Sequence, residues 1–219
     1  MVIAIDGPGG VGKTTVSRLV AHVLGYAHLD TGAMYRAATL AVLATDTDLD
    51  DVAAVVSVVA AANFDFSDGH TLLDGVDVSD QIRSEEVTAE VSEISAIAEV
   101  REILVARQRQ WVEERQMSAV VEGRDIGTVV FPQALVKVFL TARPEVRAER
   151  RAGDPTADDR PVSEVAQDLA RRDTFDSTRD VSPLRPADDA VEVDTSDVGI
   201  AEVVEQILEL VAEAGADAE

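Results

Sequence analysis

A glycine-rich segment near the start of the chain constrains the fold more than any other feature. Residues 7–14 read GPGGVGKT and fit the pattern G-x-x-x-x-G-K-[ST]. An apolar run at residues 2–5 precedes the segment, and apolar residues at helical spacing follow it, which predicts a strand, a turn and a helix. Glycines allow successive backbone N–H groups to curl around phosphates, and a helix N-terminus adds a positive dipole end. The segment therefore predicts a P-loop that binds the phosphates of a nucleotide.

Two side chains of this loop have predicted chemical tasks. Lys13 is expected to bridge the β- and γ-phosphates of ATP, and the Thr14 hydroxyl is expected to bind Mg²⁺. The predicted nucleotide-binding set comprises Gly7, Pro8, Gly9, Gly10, Val11, Gly12, Lys13, Thr14 and Thr15. GTPases share the loop, but neither of the two lysines follows an Asn, so their guanine-reading Asn-Lys-x-Asp motif is not in the sequence. The chain is also short for a motor ATPase, which leaves a kinase of a small acceptor as the leading class.

The rest of the chain continues the alternation of apolar runs and helical patterns. Buried parallel strands are predicted at residues 2–5, 26–30, 118–122, 136–140 and 190–194. Helices are predicted at residues 34–43, 50–62, 85–97, 99–116 and 143–151, with a final helix behind a cap at Asp197. Together these elements predict one three-layer α/β domain over residues 1–219 with a five-stranded parallel sheet.

Residues 63–81 depart from this alternation. Phe64 and Phe66 alternate with polar residues, and Asp68-Gly69 and Asp74-Gly75 are dipeptides typical of tight turns. The stretch therefore predicts a small antiparallel meander inserted in the α/β frame. Residues 152–161, rich in Asp, Pro and Gly between arginines, predict a loop.

The composition of the chain limits the kinds of molecule that it is expected to bind. The formal net charge of −23 argues against affinity for nucleic acid polymers or anionic membranes. Arginines nevertheless concentrate between residues 143 and 185, which suggests a local site for an anion. The sequence has no cysteine and no apolar run of membrane-spanning length, so a protein of a reducing cytoplasm is expected. A monomer is expected because the sequence shows no obvious exposed apolar heptad or edge.

Motifs beyond the P-loop carry a closer resemblance. Residues 29–36 read LDTGAMYR and residues 122–132 read EGRDIGTVVFP, with QIR at 81–83 and VRE at 100–102. These segments resemble bacterial cytidylate kinases, within the P-loop nucleoside monophosphate kinases, and the resemblance runs from Ile3 to the final helix. It implies the reaction ATP + CMP ⇌ ADP + CDP with Mg²⁺, and dCMP as a further acceptor. It also implies a core at 1–30 and 116–219, an acceptor-binding arm at 31–115 and a lid at 152–161.

The resemblance also assigns roles to single residues. Arg36, Arg124 and Arg179 match the arginines that hold the acceptor's phosphate. Ser92, Arg101 and Asp125 match the readers of cytosine, and Arg172 and Asp176 match residues near the ribose. Thr31, Tyr35 and Arg83 complete the expected substrate-binding set. Arg147, Arg150, Arg151 and Arg160 lie where the family has its lid. The expected catalytic residues are Lys13, Arg124, Asp125, Arg147 and Arg151.

The chemistry of cytosine suits this assignment. Its edge offers a carbonyl O2, an acceptor N3 and a donor N4 amine, so a donor such as Arg101 and an acceptor such as Asp125 complement it. Uracil has an acceptor in place of the N4 donor, and an ionised Asp125 disfavours it. Two alternatives stay open: a related kinase for UMP, another nucleotide or a shikimate-like acceptor, and a module that binds ATP without turnover.

Several other polar residues have weaker expected roles. Asp30 and Glu122 end predicted strands, where each either orients Mg²⁺ through water or ties neighbouring loops together. The three histidines lack metal-ligand spacing and are expected to be structural or exposed, and Trp111 is expected to pack.

Overall fold

The computed structural model describes residues 1–67, 69–154 and 160–216 and divides into two compact units. The first unit, called the core, comprises Met1–Leu29 and Val112–Glu219; the second, called the arm, comprises Asp30–Trp111. The strands are β1 (Val2–Asp6), β2 (Ala27–Asp30), β3 (Phe64–Ser67), β4 (His70–Leu73), β5 (Val76–Asp77), β6 (Ala119–Gly123), β7 (Val136–Thr141) and β8 (Val191–Asp194). The helices are α1 (Lys13–Leu24), α2 (Thr31–Leu43), α3 (Val52–Ala61), α4 (Glu85–Ala96), α5 (Ala98–Glu113), α6 (Pro144–Ala152), α7 (Val162–Thr178) and α8 (Ile200–Ala216).

The core is built on the five-stranded sheet that the apolar runs predict. Its strand order is β2-β6-β1-β7-β8, and β1 pairs in parallel with β6 and β7 on its two sides. Every residue of β1 and β6 is buried, as expected for strands covered on both faces. Because β1 is central and leads directly into the glycine-rich segment, the P-loop lies at the carboxyl edge of the sheet, where open α/β sheets bind ligands.

Helices α1 and α8 contribute apolar residues to the core on the sheet. Val16 and Val20 of α1 and Val203 and Ile207 of α8 belong to one buried cluster with residues of the sheet. Gly25, at a φ of 66°, ends α1 as its position after the apolar pattern predicts. The expected cap at Asp197 is wrong: α8 begins at Ile200, and the Asp197 carboxylate instead binds both terminal nitrogens of Arg143.

Two core elements were not predicted from the sequence. Helix α7 follows the expected loop, and its buried positions include Val165 and the charged Asp176. The sequence of α7 therefore has few apolar residues at helical spacing to indicate a helix. A single π-helical turn, Ile126–Val130, follows β6, where the run IGTVV gives no helical signal. Helix α5 also ends earlier than residue 116, because Gln116 and Met117 have positive φ angles.

The arm confirms the predicted meander. Strands β3, β4 and β5 form an antiparallel sheet in that order, with Phe64 opposite Leu73 and Leu72 opposite Asp77. Its buried cluster joins helix α2 to the meander's end through four buried residues, Ala33, Ala37, Val78 and Ile82. Side chains cap the arm's helices: Asp30, Asp51 and Ser84 accept hydrogen bonds from the first turns of α2, α3 and α4.

Of the expected loop at 152–161, residues 155–159 lie outside the described residues, as does Asp68 of the first predicted turn dipeptide. Ala152 belongs to α6, and Arg160 and Pro161 lead into α7. Among the described residues, no helix combines the length and the apolar character needed to cross a membrane.

Candidate functional site

The P-loop adopts a backbone path that requires glycine at two of its positions. Gly7 has a φ of 148°, and a Cβ there would overlap the carbonyl oxygen of Leu140. Gly10 has a φ of 78°, and a Cβ there would lie 2.7 Å from the carbonyl oxygen of Arg147. Because β7 and α6 approach the loop this closely, glycine is needed for space as well as for conformation.

Lys13 is the first residue of α1 and is 8% exposed. Its ammonium group donates a hydrogen bond of 2.7 Å to the carbonyl oxygen of Pro8, within the same loop. The contact holds the lysine stem across the loop, so its charge is placed beside the backbone N–H groups that would surround phosphates.

Thr14 belongs to a polar network that joins the P-loop to the sheet. Its hydroxyl donates to Oε2 of Glu122 at 3.0 Å, and Glu122 is the buried penultimate residue of β6. The other carboxylate oxygen, Oε1, accepts from the Ser17 hydroxyl at 3.1 Å and lies 3.0 Å from Nε2 of His28. The Ser17 hydroxyl oxygen and Nε2 of His28 are also 2.9 Å apart. Of the two expectations for His28, structural or exposed, the structure supports the structural one, with the side chain beside the P-loop.

This network provides the donor set that Mg²⁺ prefers. A hydroxyl and a buried carboxylate are hard oxygen ligands, and Mg²⁺ in kinases is usually held by one or two such groups together with phosphates and water. Across residues 1–67, 69–154 and 160–216, no three His, Asp or Glu side chains form a metal-binding group of their own. The residues present therefore fit an ion that takes most of its ligands from a nucleotide. Asp30 has a different place, as the cap that accepts from the Ala33 N–H at 3.0 Å.

The arginines near the expected lid point in different directions. Arg147 is buried; its Nε donates to the carbonyl oxygen of Gly9 at 2.6 Å, and its Nη2 lies 2.6 Å from Oδ2 of Asp173. Arg150 faces the loop after β8, where it donates to the hydroxyl and the carbonyl oxygen of Thr195. The remaining two pair locally, Arg151 with Asp154 and Arg160 with Asp168 and Glu164. Of these four arginines, Arg147 is the one whose described contacts include the P-loop.

Three of the expected acceptor arginines converge on one carboxylate in the core. Asp176 of α7 is 3% exposed and accepts from Nε of Arg124 at 3.0 Å. Nitrogen atoms of Arg172 and Arg179 lie 3.9 Å and 3.8 Å from the same carboxylate. Partial burial, together with the positive charge of Arg124, lowers the pKa of Arg172 to about 10. The cluster is therefore a concentration of positive charge around one buried carboxylate.

Asp125 follows Arg124 and is buried at the start of the π-helical turn. The side chain of Asp6, the last residue of β1, holds the first residues of this turn. The two carboxylate oxygens of Asp6 accept from the N–H groups of Ile126 and Gly127, both at 2.8 Å. Burial raises the pKa of Asp6 to about 6, although these two hydrogen bonds act in the opposite direction.

The arm places three of its predicted residues around the start of α2. Thr31 is the first residue of α2 and is buried. Arg36 is buried, and its Nη1 donates to the carbonyl oxygen of Ile82 at 3.1 Å and to the hydroxyl of Thr88 at 2.9 Å. Arg83 is more exposed, with Nη2 4.0 Å from the carboxylate of Asp30.

Arg101, at the start of α5, is the most enclosed of the arm's predicted readers. Its guanidinium carbon lies 5.1 Å from the centre of the Tyr35 ring, within range of a cation–π contact. Its Nη1 donates to the carbonyl oxygen of Ser95 at 3.1 Å, near the end of α4. Ser92 is half-buried one turn earlier in α4. The arm therefore brings Tyr35 and Arg101 together and sets Ser92 on the neighbouring helix.

Other sequence expectations have simple outcomes. Trp111 packs as expected, buried and donating to the carbonyl oxygen of Phe66 at 3.1 Å. His22 is exposed, and His70 forms an exposed pair with Asp77. Sequence reasoning missed Asp6 and Asp173. The signal for Asp6 was available, since it is the one charged residue that ends the apolar run before Gly7.

Comparison with known proteins gives a consistent result. A sequence model of the family described as cytidylate kinase matches residues 3–213. A cytidylate kinase from Rhodococcus jostii (strain RHA1) is 50% identical over 97% of this chain and 95% of its own length. One from Mycobacterium leprae (strain Br4923) is 52% identical over 96% of this chain and 95% of its own length.

Solved structures support the fold. A shikimate kinase from Bacteroides thetaiotaomicron matches with a TM-score of 0.51 at 13% identity, over 97% of this chain and 98% of that chain. The protein TT1252 from Thermus thermophilus matches with a TM-score of 0.50 at 17% identity, over 97% of this chain and 96% of that chain. At these identities the likeness concerns the arrangement of strands and helices alone.

Proposed function

The chain belongs to the cytidylate kinase family, and we propose how its residues divide the work of transferring the γ-phosphate of ATP to CMP. The observation that carries the activity is the near full-length match to this family, with about half of the residues identical to named cytidylate kinases. In the reaction, an oxygen of the CMP phosphate bonds to the γ-phosphorus while the bond between that phosphorus and the bridging oxygen of ADP breaks. The products are CDP and ADP.

The P-loop binds the ATP phosphates in this proposal. Residues 7–15 supply backbone N–H groups, and Lys13 moves from the Pro8 carbonyl to the β- and γ-phosphates. Arg147 is the proposed arginine beside the transferring group, because its Nε already binds the Gly9 carbonyl in the same loop. Arg151, one helical turn later, supports it. Phosphoryl transfer needs positioning and charge stabilisation more than covalent help, which these cations provide.

Thr14 is the proposed protein ligand of Mg²⁺, and Glu122 holds the Thr14 hydroxyl for that task. When bound, the ion offsets negative charge on the β- and γ-phosphates. Ser17 and His28 fix the other oxygen of Glu122, so this carboxylate is oriented before nucleotide arrives.

The core cluster is proposed to bind the phosphate and the ribose of the acceptor. Arg124 and Arg179 contact the phosphate, and Arg172 and Asp176 lie near the ribose hydroxyls. The short distances from these arginines to Asp176 support the proposal, because a set already packed around an anion is pre-organised for another. Asp125, on the turn that follows, is the proposed acceptor of the cytosine N4 amine.

The arm is proposed to supply the remaining acceptor contacts. Arg36 and Arg83, with Thr31, contribute to phosphate binding, and Ser92 and Arg101 read the acceptor edge of cytosine. Tyr35 supports Arg101 through its ring face. We also propose dCMP as a second acceptor, a monomer as the working form and the cytoplasm as the place of action.

The test is release of ADP from ATP and Mg²⁺ with CMP, dCMP, UMP, AMP and shikimate offered separately. Fast turnover with CMP, weaker turnover with UMP and none with shikimate are expected. Lys13→Ala is expected to lower kcat by at least about a thousandfold, because the transferring charge loses its main protein cation. Its circular dichroism and melting temperature should stay close to those of the parent.

Turnover led by another acceptor would overturn the cytosine assignment while keeping the kinase. Retained activity in Lys13→Ala would overturn the P-loop assignment. Binding of ATP without acceptor-dependent ADP would indicate a nucleotide sensor.

A further inference from the structure

Asp6 occupies a position between the donor loop and an acceptor-reading segment. It ends the central strand β1, in register with Gly123 of β6 on one side and Phe139 of β7 on the other. The next residue is Gly7, where the P-loop begins. The sheet thus fixes its backbone from both neighbouring strands, and Asp6 is 5% exposed.

The Asp6 carboxylate binds the backbone that carries the acceptor residues. Its oxygens accept from the N–H groups of Ile126 and Gly127, the two residues that directly follow Asp125. Two hydrogen bonds to adjacent N–H groups fix both the position and the rotation of that peptide segment. The direction in which the Asp125 side chain leaves the turn is therefore set by Asp6.

The far side of the same turn is also closely packed. A Cβ on Gly127 would lie 3.2 Å from Cδ of Lys137 and 3.5 Å from Oδ2 of Asp6. The Lys137 ammonium group is held at 2.7 Å by the carbonyl oxygen of Pro132 and at 2.7 Å by Oδ2 of Asp189. Gly127 thus lies between a fixed lysine stem and the Asp6 carboxylate.

We propose that Asp6 is a positioning residue for base selectivity: by holding the Ile126–Gly127 backbone it aims Asp125 at the cytosine N4 amine and keeps Arg124 in place. The inference rests on the proposed role of Asp125. In this proposal Asp6 contacts neither substrate. Two ionised oxygens are required, because a protonated carboxyl would turn one acceptor into a donor facing an N–H group.

Protonation therefore gives Asp6 two opposite effects. The charged groups that face Asp6 are Lys13 and Asp125, and the methylene stem of Lys137 packs against the same turn. Burial raises the pKa of Asp6 to about 6. A carboxyl whose pKa is higher in the folded state than in the unfolded state adds stability below its unfolded pKa, and that stability is lost as pH rises through about 6. Acid thus favours the fold at this residue while it breaks one hydrogen bond to the turn.

The experiment measures kcat/KM for CMP and UMP between pH 5.5 and pH 8 in four proteins: the parent, Asp6→Asn, Asp125→Asn and the double variant. The CMP to UMP ratio cancels titration of the substrate phosphate, which both nucleotides share. At pH 8, Asp6→Asn is expected to lower this ratio about tenfold, because its amide can accept from one N–H group but repels the other. Asp188→Asn, a highly exposed carboxylate, is the charge-matched control and should leave the ratio unchanged.

Three further results are expected. In the Asp125→Asn background, adding Asp6→Asn should have little further effect on the ratio, since the two act through one contact. The parent's ratio should fall below pH 6, and Asp6→Asn should lack that change. The melting temperature of the parent relative to Asp6→Asn should rise over the same acid range.

An unchanged ratio in Asp6→Asn, or a full additional loss in the double variant, would overturn the inference. An unchanged ratio in Asp125→Asn would instead overturn the proposed role of Asp125. If Asp6→Asn does not fold, Gly127→Ala displaces the same turn with Asp6 intact. A lowered CMP to UMP ratio in Gly127→Ala, with the acid-dependent fall in the parent, then supports the inference, and their absence overturns it.

Discussion

The arginines proposed to bind the acceptor donate to backbone carbonyl oxygens in both the core and the arm, but those of the core also gather around one carboxylate. In the core, Arg124, Arg172 and Arg179 all lie within 4 Å of the Asp176 carboxylate. In the arm, the contacts that orient Arg36 and Arg101 include backbone carbonyl oxygens and a tyrosine ring. The core arginines thus share one anion, and a change at Asp176 should affect all three together. The arm arginines have separate neighbours, and their substitutions should be more nearly independent.

The largest effect is expected at the shared anion. Asp176→Asn should lower kcat/KM for CMP by about a hundredfold or more, because three cations lose their common partner as the ribose contact is lost. The free energy of unfolding should fall by about 2 kcal/mol, less than for a fully buried pair, because Arg124 and Arg172 are partly exposed. Steady-state kinetics and urea denaturation measure the two quantities.

Asp168→Asn on the same helix is the matched control, since its partners Arg160 and Arg171 are more exposed. It should change both quantities little. If Asp176→Asn affects kcat/KM no more than this control does, the picture of a cluster held by a shared anion is wrong.

An intermediate effect is expected in the arm at Arg101. Arg101→Lys keeps the charge but loses the planar group over Tyr35 and the geometry that binds the Ser95 carbonyl, so KM for CMP should rise about tenfold to thirtyfold. ATP binding should not change. Arg109→Lys, an exposed position on the same helix, should behave like the parent. Combining Arg101→Lys with Asp176→Asn tests independence: losses that fail to multiply would show that core and arm act as one coupled set.

The smallest effect is expected at Thr88, whose hydroxyl accepts one hydrogen bond from Arg36. Thr88→Val removes one hydrogen bond that orients the Arg36 guanidinium, worth about 1 kcal/mol. KM for CMP should therefore rise about fivefold, while the Ile82 carbonyl still holds the guanidinium. Thr45→Val, at an exposed position just after α2, is the control. A loss as large as that for Asp176→Asn would mean that the arm arginine depends on one partner as strongly as the core cluster does.

The frame of the fold could be predicted because its signals are local. Apolar runs of four or five residues mark β1 and β6, turn dipeptides at Gly69 and Gly75 mark the meander, and the glycine pattern marks the P-loop. Helix α7 could not be predicted in this way, since it buries a charged residue, Asp176, where a helical pattern would show an apolar one.

The polar networks were beyond sequence reasoning for a different reason. Asp6 and Ile126 are 120 residues apart, and Ser17 and Glu122 are 105 apart. Nothing in the local sequence indicates which distant N–H group or hydroxyl a carboxylate will meet. Motifs supply the residues that we propose to line the acceptor, whereas the residues that orient them follow only from the three-dimensional pairing.

The two lysines of the chain offer a chemical reporter for the P-loop. Lys13 and Lys137 are each 8% exposed, and each donates to the carbonyl oxygen of a proline five residues earlier. Lys137 is additionally held by Asp189, whereas Lys13 would leave the Pro8 carbonyl in the proposed binding of phosphate. Acylation of lysine side chains can therefore modify few sites in this protein, and the mass of one short peptide would report how far nucleotide occupies the loop. Because the sequence has no lysine besides these two, no other lysine side chain adds to the background of this measurement.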